Sequence, residues 1–489
     1  IAHHYKILPV GYENETLLIA INNPFNLSLI DEIRLALDQA IKTALSSERE
    51  IHDALKKYYG IGAETMERMM DKTDGLSLGS SPIIKLEEIS DETASEASII
   101  KFVNQILFEA YKDRATDIHI EPFEDELRIR YRIDGILHRA SVPPSIRHFH
   151  SSIISRIKIM ANLDIAERRL PQDGRIKVKI GDDELDLRVS IIPTPYGESV
   201  DIRLLSGGLA FLELEKLGLG KHDLISLDRM IKKPHGIIFV TGPTGSGKTT
   251  TLYACLAKLN NEEKKIITIE DPVEYLLHGI TQIQTNSKID LTFSRALRSM
   301  LRHDPDIMMV GEVRDFETAE ITIRVSLTGH LVFSTLHTND ASSAITRLID
   351  IGIEPYLVSS SVECIIAQRL VRLICKECKN EIKYTHEDTK VFQKKPLDNS
   401  VRIYDGNGCE KCKFTGYHGR TAIYEMLVLD DELRHAVIEK RPAHEIKEYA
   451  LKKGMKSLLQ DGWEKVKMGL TSISEVIRVT QDEAIKMSS

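Results

Sequence analysis

Gly242-Pro243-Thr244-Gly245-Ser246-Gly247-Lys248-Thr249, continued by Thr250, has the composition and spacing of a phosphate-binding loop. Glycines let the backbone turn its N–H groups onto a phosphate, and the helix that such a loop opens adds partial positive charge. Lys248 is placed to reach the β- and γ-phosphates, and Thr249 to offer a hydroxyl to Mg²⁺. The loop follows the apolar run Ile237-Ile238-Phe239-Val240 and precedes Leu252, Leu256 and Leu259 at helical spacing. A glycine-rich turn that binds nothing would not need eight positions in register. The expected ligand is a nucleoside triphosphate, and with no Asn-Lys-x-Asp run to read guanine, ATP.

Hydrolysis needs acids as well. Ile307-Met308-Met309-Val310-Gly311-Glu312 is an apolar run ending in a carboxylate, the arrangement that holds Mg²⁺ beside a phosphate loop. Glu270-Asp271-Pro272-Val273-Glu274 follows another apolar run, so its acids are expected at the same carboxyl edge of a parallel sheet, where one can orient or deprotonate the attacking water. Alone, either stretch reads as a helix cap or solvated turn; arrival at the phosphate-loop edge changes that reading. His330 and His337 frame the next apolar run and are candidates for sensing the γ-phosphate, although a hydrogen-bonded histidine of no special role is the commoner case. Arg188, Arg203, Arg298, Arg302 and Arg314 are candidates for stabilising transferred charge, set against the commoner fate of a surface ion pair.

Cys375-Lys376-Glu377-Cys378 and Cys409-Glu410-Lys411-Cys412 form two CxxC knuckles. Four thiolates so arranged predict a closed tetrahedral Zn²⁺ site, structural and not catalytic; redox CxxC chemistry and unrelated free thiols are the alternatives.

These residues need a scaffold, and 489 residues supply about three domains. A hydrophobic content of 42% with 28% charged residues fits a soluble multidomain protein and excludes a disulfide-stapled miniprotein. The net charge of -8, from 73 acidic and 65 basic side chains, lacks the basic excess of a dedicated nucleic-acid binder. No apolar run reaches the roughly 18 residues of a membrane span, and the start Ile1-Ala2-His3-His4 is not an export signal, so a cytosolic protein is expected, met here as a truncated chain because it opens without methionine.

Residues 1–70 predict a small α/β unit: an extended run Thr16–Ile21, then Leu29, Ile30, Ile33 and Leu37 at helical spacing. The Asp/Glu/Ser/Gly-rich stretch 71–97 reads as a flexible acidic linker. In 98–205, Leu127, Ile129, Tyr131 and Ile133 alternate with arginines before Asp134-Gly135, and Leu185, Leu187, Val189 and Ile191 repeat the alternation, which predicts an antiparallel sheet with flanking helices. After an interdomain linker at 206–231, apolar runs alternating with helical stretches over 232–372 predict a parallel sheet covered on both faces. The cysteine segment is placed at 373–425 and a helical tail at 426–489.

Together, Ala115-Thr116-Asp117-Ile118-His119-Ile120-Glu121-Pro122, Arg168-Arg169-Leu170-Pro171-Gln172-Asp173-Gly174-Arg175, the phosphate loop, the Glu270–Glu274 run, Gly311-Glu312-Val313-Arg314-Asp315 and the Gly329–Asp340 stretch resemble the ATPases of type II secretion and type IV pilus assembly, over about residues 98–485. The resemblance implies an α/β fold in which a PAS-like α+β sheet domain precedes a RecA-like ATPase domain, with an N-terminal docking domain, a four-cysteine zinc insertion and a helical tail. It implies a homo-hexamer hydrolysing Mg-ATP. Glu270–Glu274 would be the aspartate box, Glu312 the end of the Walker B strand, and His330 and His337 a histidine box. Arg188 and Arg203 match arginines that complete the site. Glu270 is favoured over Glu274 for activating water. The implied partners are an inner-membrane platform protein and the cytoplasmic domain of a bitopic inner-membrane secretion protein, to which the chain would attach peripherally.

The four cysteines disfavour the retraction branch of the family, and Met455–Trp463 is closer to the secretion branch than to pilus extension, although a buried terminal aromatic explains Trp463 as simply. Two readings of other classes stand beside this one: a nucleic-acid translocase of DNA uptake or conjugation, and a scaffold that binds ATP with little turnover.

Overall fold

The computed structural model describes residues 2, 5, 7–13, 16–37, 39–59, 84–85, 96–181, 183–206, 213–385, 389–392 and 401–481. The chain divides into two compact units, Ile1–Gly207 and Gly208–Ser489.

In the first unit, β1 (Leu8–Glu13), β2 (Thr16–Ile21) and β3 (Ile41–Leu45) form a three-stranded sheet in the order β1-β2-β3, with helices Leu27–Leu37 and Glu48–Tyr59. Ile19 and Ile21 pack with Ile30 and Ile33, the apolar faces that strand and helix periodicity predict. Of the expected acidic linker, only Ile84–Lys85 and the start of helix Glu96–Lys112 fall within the described residues.

A second sheet contains β4 (Ile84–Lys85), β5 (Ala115–Pro122), β6 (Leu127–Ile133), β7 (Ile136–Arg139), β8 (Gln172–Ile180), β9 (Asp183–Thr194) and β10 (Gly197–Ser206), in the order β4-β8-β9-β10-β5-β6-β7. All its pairings are antiparallel except β4 with β8. Leu127, Ile129 and Tyr131 are buried, as are Leu185, Leu187, Val189 and Ile191. The hairpin between β6 and β7 turns at Asp134 and Gly135, both with positive φ, as a two-residue turn that matches strand twist demands.

The second unit is built on β11 (Gly236–Thr241), β12 (Ile266–Glu270), β13 (Thr281–Gln284), β14 (Ile307–Val310), β15 (Leu331–Leu336), β16 (Val362–Ile374) and a later strand, β19 (Tyr417–Val428). Their order is β13-β12-β14-β15-β11-β16-β19, parallel throughout except for the last pair. Ile237 and Phe239 enter one core while Ile238 and Val240 enter the other, so both faces are covered and the strands read as continuous apolar runs.

Two sequence-based boundaries are corrected. Residues 213–231 are not a linker: helix Lys221–Met230 buries Leu227 and Met230 in the core that also contains Leu252 and Leu256. The cysteine segment is shorter than 373–425, because β19 pairs with β16 from Cys364↔Val428 to Ile374↔Tyr417 and belongs to the main sheet. The insertion is therefore 375–416, holding the small hairpin β17 (Lys379–Ile382) and β18 (Ile403–Gly406). Four helices follow, Asp431–Ile438, Ala443–Lys452, Leu458–Lys467 and Ile473–Val479; the expected tail beyond residue 481 lies outside the described residues.

Candidate active site

Parallel register decides which loops share an edge. Phe239 and Val310 both pair with Ser334, so β11, β14 and β15 end together, and the segments that follow them bring the phosphate loop, Glu312 and His337 to one carboxyl edge. Helix Lys248–Leu259 starts from Gly247, whose φ of 87° is left-handed. A side chain at Gly242 would lie 2.5 Å from the Gln368 carbonyl, so that position requires glycine for space as well as conformation, whereas at Gly247 it is the left-handed φ that requires it. Lys248 Nζ donates to the carbonyls of Gly242 at 2.8 Å and Pro243 at 3.1 Å. Burial pulls this ammonium down to about 8; the Glu312 carboxylate opposes the shift and Arg369 adds to it. Thr249 and Thr250 are half-buried in the first turn.

Glu312 is nearly enclosed, with 13% of its side chain exposed, and its Oε2 lies 2.7 Å from Arg314 Nε and 3.5 Å from His337 Nε2. Burial and the Lys248 ammonium push His337 below the ordinary imidazole range, against Glu312, which favours its charged form. Lys248, Glu312 and His337 thus form one electrostatic cluster.

The second histidine does not join them. His330 precedes β15 at the opposite, amino edge, seven residues and roughly 20 Å of strand from His337. Its Nδ1 faces the Val325 carbonyl at 3.0 Å and Thr328 Oγ1 at 3.3 Å, and its own carbonyl accepts from Gly236 N. Within the subunit this histidine caps a helix end, away from the phosphate loop.

Glu270 ends β12 at the carboxyl edge, but its side chain is enclosed. Period-two alternation puts it on the face of β12 shared with Thr268, beneath the phosphate-loop helix, and it is 3% exposed. Tyr253 donates to its Oε2, and Thr268 and Gln282 donate to its Oε1 at 2.6 and 3.1 Å. Burial raises its pKa, while these donors and the nearby Glu274 carboxylate act in opposite senses. Glu274, the other aspartate-box glutamate, is half-buried in the loop beyond.

The arginines separate. Arg314 reaches Glu312, whereas Arg298 pairs with Glu317 at 2.7 Å and Arg302 donates to the Arg298 carbonyl and the Ser299 hydroxyl of the preceding helix. In the other unit, Arg203 Nε lies 2.9 Å from Asp117 Oδ1. Register aligns Arg175, Arg188, Arg203, Asp117 and Arg132 in one line across β8, β9, β10, β5 and β6. Within this row Arg203 and Arg132 both approach the buried Asp117 carboxylate, and Arg175 approaches Asp186 at 3.9 Å.

The four cysteine sulfurs lie within 4.8 Å of one another. Cys375–Cys409, Cys378–Cys412 and Cys409–Cys412 are separated by 3.7, 3.8 and 3.7 Å. A tetrahedron with zinc–sulfur bonds of about 2.3 Å has edges of about 3.8 Å, so the donor set fits zinc. Cys412 Sγ accepts from the N–H groups of Cys409 at 3.1 Å and Gly416 at 3.3 Å; against burial, which raises its pKa, these bonds bring the thiol down to about 6.

A sequence profile for the family described as "Type II/IV secretion system protein" matches residues 92–478, and one for the MshEN domain matches residues 1–65. The chain belongs to the type II/IV secretion system protein family. It is 45% identical over 480 residues to type II secretion system protein E of Xanthomonas campestris pv. campestris, covering 98% of this chain and 83% of that one. It is 43% identical over 481 residues to the type IV pilus assembly ATPase PilB of Myxococcus xanthus, covering 98% and 84%. The pilus retraction motor PilT, solved with bound ADP, aligns at a TM-score of 0.51 and 26% identity over 77% of this chain and 96% of that one. The Legionella pneumophila ATPase DotB shares the fold, with a TM-score of 0.58 at 19% identity over 82% and 100%. The chain has the α/β ATPase fold and is an ATP hydrolase of this secretion family.

For this family member, sequence reasoning missed the contribution of β16. Gln368 is buried against the phosphate loop and accepts from Thr251 at 2.7 Å. Arg369 acts on Lys248 and donates to Asn339 Oδ1 at 3.0 Å. Both lie more than a hundred residues from the loop they support, with no local motif to mark them. Tyr253 and Gln282 were missed because no local motif marks them.

Proposed function

We propose that this chain is the motor ATPase of a type II secretion machine, acting as a homo-hexamer that turns ATP hydrolysis into domain movement and drives pseudopilus assembly. The observation that carries the reading is the Lys248–Glu312–His337 cluster at the phosphate-loop edge, in a chain 45% identical to a type II secretion protein E. ATP would lie on Gly242–Thr250. Lys248 exchanges its Gly242 and Pro243 carbonyl contacts for phosphate oxygens, and Glu274 orients the water and takes its proton. Thr249 and Glu312 would hold Mg²⁺, which would supply positive charge to offset the charge developing on the transferred phosphate. Arg188 and Arg203, on a sheet domain of PAS-like type, would be the arginines that stabilise transferred charge, and His337, touching Glu312, would register loss of the γ-phosphate. Cys375, Cys378, Cys409 and Cys412 would hold Zn²⁺ as a structural clamp on the insertion.

No helix among the described residues is long and apolar enough to cross a membrane. Work on a membrane machine would therefore pass through partners, an inner-membrane platform protein and the cytoplasmic domain of a bitopic secretion protein, with residues 1–65 as the docking unit and the cytoplasm as the location. The 43% identity to a PilB supports pilus extension as the second reading.

The test is steady-state Mg-ATP hydrolysis against protein concentration, alone and with the cytoplasmic part of the candidate bitopic protein, with Lys248→Ala as control. Activity that rises with assembly and partner supports the ring motor. Indifference to both, or stimulation by nucleic acid that salt abolishes, would overturn it.

A further inference from the structure

Glu270 lies at the centre of a buried polar network joining three elements. Its donors come from the phosphate-loop helix (Tyr253), from β12 itself (Thr268) and from β13 (Gln282). Gln282 then grips the aspartate-box loop from behind: its Nε2 donates to the Tyr275 carbonyl at 2.9 Å, and its Oε1 accepts from Leu277 N at 2.7 Å. The rings of Tyr253 and Tyr275 meet edge to face, with centroids 6.4 Å apart. The loop segment that carries Glu274 is thus tied, through one carboxylate and one amide, to the helix that opens with Lys248. Tyr253 is five residues along that helix from Lys248, roughly 7–8 Å of axial rise.

We propose that Tyr253, Glu270 and Gln282 are positioning residues that couple the phosphate-binding helix to the Glu274 loop, so that Glu270 acts through the loop and not on the attacking water. This rests on the ATPase site described above. A shift of the helix when phosphate is taken up is carried by the Tyr253 hydroxyl to Glu270, and by Gln282 to the main chain on either side of residue 276. Buried networks of this kind hold a geometry because leaving any member unpaired is costly. Glu270 has donors at both oxygens, which leaves it ill placed to take a proton from water.

The experiment uses the full chain with Tyr253→Phe, Gln282→Ala and Glu270→Gln, their double mutants, and Glu274→Gln and Lys248→Ala as references. Tyr253→Phe keeps the ring against Tyr275 and removes only the donor, so it is the variant least able to disturb folding. The expected result is a fall in kcat of about tenfold for Tyr253→Phe and Glu270→Gln, with KM for Mg-ATP, affinity for a fluorescent ATP analogue and thermal midpoint nearly unchanged. The Tyr253→Phe/Glu270→Gln double mutant should fall little further than either single variant, because both break one network. Glu274→Gln should lose about 10²-fold or more. Glu270→Gln as inactive as Glu274→Gln, beside Tyr253→Phe with wild-type kcat, would overturn the proposal and make Glu270 the base. Losses confined to thermal midpoint or KM would overturn it in favour of a purely structural role. Wild-type turnover by Lys248→Ala would instead overturn the active-site reading on which the coupling rests.

Discussion

His337 Nε2 lies 3.5 Å from Glu312 Oε2, joining the loops after two adjacent parallel strands, β15 and β14, beside the Lys248 ammonium. The contact ties the carboxylate expected to hold the metal to the one histidine of the pair that reaches the phosphate edge.

Removing either charged partner should stop turnover while leaving the fold intact. Lys248→Ala and Glu312→Gln are each expected to lower kcat by about 10²-fold or more, because each removes a charge positioned for the transition state. Circular dichroism and thermal midpoint should stay close to the parent, and steady-state phosphate release gives the comparison.

The pH dependence of His337 has a definite sign. Burial and Lys248 hold its folded pKa below the unfolded value of about 6.5, so its contribution to stability is complete above that value and is lost as pH falls through the depressed one. Glu312→Gln removes the group that favours the charged ring and should depress the value further. Titration of the His337 ring signals by NMR, assigned with His337→Gln, measures both shifts.

The C-terminal helix should be a stability element for the nucleotide edge. Arg372 and Arg478 both reach Glu475, at 2.6 and 2.8 Å; against burial, which raises it, they hold the carboxyl at about 2. Glu475→Ala leaves the nearly buried Arg372 without its counter-charge and is expected to cost about 3–5 kcal/mol in urea denaturation at neutral pH. The parent should retain this contribution above the ordinary glutamate value of about 4.3 and lose it as pH falls toward 2.

The cysteine cluster predicts one zinc per chain by elemental analysis. Cys412→Ser should reduce zinc retention sharply and lower the thermal midpoint by several degrees, since a structural site contributes directly to folding. Phe392, from the insertion, stacks on Trp463 with centroids 4.7 Å apart, so tryptophan fluorescence should report chelation of the metal.

Much of this protein is legible in the sequence because its signals are local. The eight residues of the phosphate loop, the apolar runs later seen as β11, β12, β14 and β15, the Asp134-Gly135 turn and the two CxxC knuckles each specify backbone conformation or chemistry within a few residues. Tertiary structure alone decided which of those residues meet. Sheet order and register put Glu312 beside His337, left His330 at the far edge and aligned four arginines across five strands. Strand alternation turned Glu270 inward under Tyr253, and β16 brought Gln368 and Arg369 to a loop distant in sequence. The physical reason is that periodicity is a property of one segment, whereas the partners of a side chain are set by hydrogen-bond pairing between segments, and that pairing is written in no single stretch of the chain.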